Sequence, residues 1–129
     1  MTTDLWMLAA AAVLQFALVL HAALPRMAIN GIPWSLSNRD EKGKEMPKWA
    51  ERLQRSSDNL AESLPMFAIL VLVAHVSGQA DEMSALGSQV FVGSRLTHAL
   101  LYGIGIPYLR TAVWCVSVAG MAMVGWSLF

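Results

Sequence analysis

Arg52, Arg55, Asn59 and Glu62 fall at i, i+3, i+7 and i+10. At 100° per residue they share about 80° of one helix face. Arg95, His98 and Tyr102 fall at i, i+3 and i+7, within about 60° of a second face. Arg110 and Thr111 follow shortly after a Gly-Ile-Pro break at residues 105–107. Guanidinium forks bind carboxylates through two parallel hydrogen bonds. Glu62 suits an ammonium, and Asn59 a peptide or carboxylate group. Arg110 or Tyr102 beside a bound thiol would favour its thiolate, the nucleophilic form. Read from residue types alone, the set fits a small polar ligand carrying several carboxylates.

The elements that must position these side chains are greasy. Of 129 residues, 56% are hydrophobic and 14% charged, and the mean hydropathy is +0.49. Soluble domains carry about 25% charged residues, so the deficit points to an integral membrane protein. Nine basic residues balance nine acidic ones, which removes the electrostatic case for nucleic acid. The single cysteine, Cys115, excludes an intrachain disulfide framework and a cysteine-based zinc site. A membrane-crossing helix needs roughly 20 apolar residues. The pattern predicts an all-α chain forming one four-span domain, with helices over about 4–24, 49–77, 84–105 and 107–128. No Lys or Arg precedes the first apolar run, so it reads as a span rather than a cleaved leader. Residues 25–48 hold Pro25, Gly31, Pro33, Gly43 and Pro47, and read as a loop.

Arg26, Arg39, Lys42, Lys44 and Lys48 all lie in that long loop. The positive-inside rule therefore makes it cytoplasmic and puts both termini outside. An ionisable side chain inside a span costs about 2.5–3.5 kcal/mol on insertion scales, so the polar stripes need partners. In an antiparallel hairpin, residues at equal depth share one index sum. Glu62/Arg95, Asn59/His98 and Arg55/Tyr102 do so, around a turn at Gly78–Gln79. Glu62 and Arg95 would then meet deepest, and a pocket would open toward the cytoplasm near Arg110. One or two buried pairs would suffice to fix a bundle's register. The surplus of guanidinium groups points instead to an anionic guest.

Arg55-x-x-x-Asn59-x-x-Glu62-x-x-Pro65, then Arg95-x-x-His98-x-x-x-Tyr102 and Arg110-Thr111, resembles the MAPEG family, the membrane-associated proteins in eicosanoid and glutathione metabolism. The loop fragment Ser37-Asn38-Arg39-Asp40-Glu41 is similar to that of bacterial members, which implies a bacterial inner membrane. The resemblance covers most of the chain. It implies a four-helix fold packed as a homotrimer, with glutathione as cosubstrate bound between subunits near the cytoplasmic face. Arg55, Asn59 and Glu62 would hold the tripeptide from one helix, and Arg95, His98 and Tyr102 from the next. Arg110 would stand nearest the activated sulfur, with Thr111 where some members carry a serine. Asp58 occupies a position where some glutathione-using members have arginine.

Other residues carry no assigned chemistry. His21 and His75 lack partners at metal-ligand spacing, so no metal site is expected. Trp6, Trp34, Trp49, Trp114 and Trp126 mostly lie near span ends, as interfacial anchors do. The expected function is a glutathione-dependent transferase or peroxidase-like activity on lipophilic electrophiles taken from the bilayer. A non-catalytic module of the same fold, holding a lipid or anion, is the alternative. A transport role fits less well, because the outer halves of the spans offer almost no polar path.

Overall fold

A computed structural model describes residues 1–129. Helix α1 runs over Thr3–Asn30, started by Thr2, whose hydroxyl accepts from the Leu5 N–H at 3.4 Å. It continues past Leu24 and through Pro25, further than the proline suggested. A proline inside a helix removes one backbone hydrogen bond, which membrane helices tolerate. The stop comes at Gly31, whose φ of 85° side-chain-bearing residues avoid, and whose N–H donates to Met27 O at 2.8 Å.

The segment expected to be a plain loop contains a short helix, α2, at Ile32–Leu36. The chain after it folds back over Trp34. The indole donates to Glu41 O at 3.0 Å, and the Arg39 guanidinium lies 5.2 Å from its ring centroid. Gly43 is needed there, because a Cβ would stand 2.8 Å from the Trp34 ring.

Helix α3, Lys48–Val76, carries Pro65 within it. Helix α4, Glu82–Ile104, opens on a capping box in which Asp81 and Ser84 satisfy each other's backbone N–H. Helix α5, Pro107–Trp126, starts with proline in its first turn, where the missing N–H costs nothing.

Three helices, α1, α3 and α5, are long and apolar enough to cross a membrane. Helix α4 falls short of that criterion although 23 residues long. Its polar side chains explain this: Ser84, Ser88, Ser94, Arg95 and His98 are buried inside the bundle. Its exposed positions include Met83, Leu86, Leu96 and Leu100. Helix α4 thus buries its arginine and histidine, while its exposed side carries these apolar residues together with Gln89 and Thr97.

The helices meet around one cluster of Ala11, Leu18, Leu60, Phe67, Val71, Phe91, Ala99 and Val124. Phe67 and Phe91 stack at 4.1 Å between centroids. Helices α4 and α5 touch backbone to backbone. A Cβ on Gly87 would come within 2.7 Å of Gly120 O, and one on Gly120 within 2.7 Å of Phe91 N. Small residues permit such contact where lipid offers no hydrophobic drive for association. Near the start of α1, buried Asp4 accepts from Ser88 Oγ at 3.1 Å, tying α1 to α4.

Candidate functional site

Helix α3 presents Asn59 toward α4, and α4 presents Arg95 back. Nη2 of Arg95 donates to Asn59 Oδ1 at 2.8 Å. This differs by one helical turn from the pairing of equal index sums, which put Glu62 opposite Arg95. The reason lies in how α3 is rotated. Its contact face passes through Arg52 and Asn59, while Arg55 and Glu62 are turned some 60° aside at 100° per residue and are exposed. Glu62 and Arg95 form no ion pair within 4 Å. The only such pair in the chain joins Arg55 to Glu51, at 3.5 Å.

Arg95 is 2% exposed. Its Nε and Nη1 are buried without a hydrogen-bond partner. A buried donor left unpaired is costly, and for a charged group the cost is greater still. Such a group is retained where something other than this chain's own atoms completes it.

Beside the Asn59–Arg95 pair lies a cleft of about 180 Å³, lined by Asn59, His98, Tyr102, Arg110, Thr111 and Trp114. His98 meets Tyr102 edge to face, with centroids 5.5 Å apart. Arg110 lies over the other aromatic, its guanidinium carbon 4.4 Å from the Tyr102 ring centroid. A guanidinium on an aromatic face is attracted by the ring quadrupole and keeps its N–H edge free for an anion. No carboxylate lines the cleft. The Thr111 hydroxyl donates to Pro107 O at 3.3 Å, so it is tied to its own helix.

The structure therefore brings together Asn59, His98, Tyr102, Arg110 and Thr111, with Arg95 behind them. It leaves Arg55 and Glu62 on the surface of the chain. It adds Trp114, which looked like an interfacial anchor. The signal was present in the spacing: Arg110, Thr111 and Trp114 fall at i, i+1 and i+4, on one side of α5.

The opposite face of α3 lines a second, larger cleft of about 290 Å³ against α1 and α2. Its polar lining includes Gln15, Arg26, Arg39, Gln54, Ser57 and Asp58. Here several polar groups are already satisfied. Gln54 Nε2 donates to Asp58 Oδ1 at 2.8 Å, Arg39 Nη2 to Ser35 O at 3.3 Å, and Gln15 Nε2 to Ser57 Oγ at 3.1 Å. Asp58 thus faces away from the Arg110 cleft.

The family model described as MAPEG family matches residues 4–129. No curated protein matches the chain.

Proposed function

The chain belongs to the MAPEG family, and from that premise we propose a membrane-bound, glutathione-dependent transferase or peroxidase-like enzyme acting on lipophilic electrophiles. The observation that carries this reading is the carboxylate-free cleft in which Arg110 lies over Tyr102. Glutathione supplies a thiol that, ionised, attacks an electrophilic carbon or a peroxide oxygen. The chain's own groups do the rest. Arg110 offers a fixed positive charge where the sulfur's negative charge develops, as preorganised donors do. Tyr102 holds that guanidinium by its ring face and lines the same cleft. Asn59 and His98 supply polar contacts for the peptide and carboxylate groups, and Arg95 backs Asn59 from beneath. Trp114 gives the cleft an aromatic wall suited to the apolar partner.

The donor set fits an anionic peptide, and size supports a shared site. Ligand pockets run from about 300 Å³ upward, whereas one chain supplies about 180 Å³. Arg55 and Glu62 point outward, Glu62 on a stripe with Met66, Ile69 and Val73 at helical spacing, all exposed. A carboxylate facing lipid is expensive, so a second copy of the chain is the natural cover. This supports the homotrimer with glutathione between subunits, where Arg55 and Glu62 of one copy could reach the ligand. The charge asymmetry of residues 26–48 supports a cytoplasmic loop and outward termini, and the loop's likeness to bacterial members supports a bacterial inner membrane. Helix α4, with Arg95 and His98 buried inside the bundle, makes the fourth span.

A negative charge in the cleft would favour the non-catalytic alternative, and Asp58, at a position where some glutathione-using members carry arginine, is the candidate for it. Asp58 lies in the other cleft, bonded to Gln54, and lends it no support. Ultraviolet difference absorbance with saturating glutathione is the test. A thiolate band in the wild type, lost in Arg110→Ala, is expected. Absence of the band, together with a co-purifying lipid in native mass spectrometry, would replace the enzyme with a lipid-binding module.

A further inference from the structure

Arg52 belongs to neither cleft, yet it is placed against the turn that sets the first one. Gly105 closes α4 with a φ of 91°, and its N–H and that of Ile106 both donate to Leu101 O, at 2.9 and 3.1 Å. An atom in the Cβ position of Gly105 would lie 3.4, 3.5 and 3.6 Å from Cζ, Nη1 and Nε of Arg52. Near-equal distances to three guanidinium atoms mean that a face, rather than an edge, rests on the turn. Helix α4 has no basic residue of its own in its last turn, and a cation there offsets the partial negative charge of the open carbonyls. Arg52 has no carboxylate within 4 Å, and its Nε is buried without a partner. The turn is short. Three residues before Gly105 stands Tyr102, and five after it stands Arg110.

We infer that Arg52 is a positioning residue: its guanidinium braces the α4–α5 turn and thereby sets where Arg110 lies over Tyr102. Arg52 and Asn59 are seven residues apart on one face of α3. The helix clasps α4 at two levels, through Asn59 on Arg95 and through Arg52 on Gly105. A bulkier residue at 105 would serve poorly, since it would need both a left-handed backbone and the space the guanidinium fills. This inference rests on the glutathione reading only for its catalytic consequence.

The test uses the full chain in lipid nanodiscs, with Arg52→Met and Arg52→Lys. Methionine keeps an apolar stem without charge, and lysine keeps charge without a planar face. In Arg52→Met, hydrogen exchange at the Gly105 and Ile106 amides should rise about tenfold. Phenylglyoxal modification of Arg110, followed by peptide mass, should change rate. The glutathione thiolate band and kcat should fall about tenfold while KM for glutathione stays within about twofold. Arg52→Lys should recover only part of the loss, which general destabilisation would not produce. Wild-type exchange at 105–106, or a loosened turn with wild-type Arg110 reactivity and kcat, overturns the inference. If the wild type shows no thiolate band, the glutathione reading falls. Exchange and Arg110 reactivity then decide on Arg52 by themselves.

Discussion

Helix α3 separates two polar clefts of opposite character. On one side, Asp58 is bonded to Gln54, and Arg39 is held by Trp34 and Ser35 O. On the other, Arg110 meets only an aromatic face, and buried Arg95 keeps two nitrogens unpartnered. The larger cleft holds the Asp58 carboxylate and several internal hydrogen bonds, although Arg26 and Gln15 Oε1 there have no partner, whereas the smaller holds Arg110 with no carboxylate at all. Unpaired donors are expensive in a low-dielectric interior, and the buried Arg95 guanidinium behind Asn59 makes the smaller, carboxylate-free cleft the better candidate for an anionic ligand.

The sharpest way to break this contrast is to remove one arginine from each side. Arg110→Ala should lower kcat by about 10²–10³, the range for losing a preorganised donor to developing charge. Arg39→Gln should leave turnover within about twofold, as surface changes do. Equal losses in a glutathione-conjugation assay would erase the distinction. Asn59→Ala should come next. It leaves Arg95 buried with no partner in the chain and should cost about 2 kcal/mol, read as a lowered midpoint in detergent unfolding. Gln54→Ala, its counterpart in the other cleft, should cost less than about 0.5 kcal/mol. Trp114→Ala should raise KM for an apolar electrophile about tenfold, the scale of lost pocket contacts, with KM for glutathione little changed. The smallest effect is expected from Asp58→Asn. Glutathione affinity by calorimetry should shift by no more than about 0.5 kcal/mol. A tenfold gain would mean that Asp58 reaches the site after all.

Much of the candidate cleft's lining was legible because helical spacing is a strong constraint. Two stripes at three- and four-residue intervals put Asn59 on one helix and His98 with Tyr102 on another, and the cleft contains all three. The register between the helices was not legible. Equal index sums treat the hairpin as symmetric and both stripes as centred on the contact. Helix α3 is instead rotated so that Arg52 and Asn59 face α4 and Glu62 does not. Trp114 was missed because an aromatic near a span end has an interfacial explanation that ignores which side of α5 it occupies. At Pro25 a residue-level rule for helix stops was outweighed. The next positive-φ glycine lies six residues on, and the helix continues to it.

Composition and periodicity determined that this chain is helical, bilayer-bound and equipped with two polar stripes, because both signals are summed over many residues and do not depend on neighbours in space. They also carried the family pattern, which is a matter of residue order. The tertiary structure alone decided which arginine is buried, which is stacked and which is paired to its own helix. Which of the α3 stripe residues meets Arg95 and which is left outside depends on the rotation of that helix about its axis. A rotation of about 60° moves a side chain from the contact face to the outer surface, and no local sequence signal encodes it.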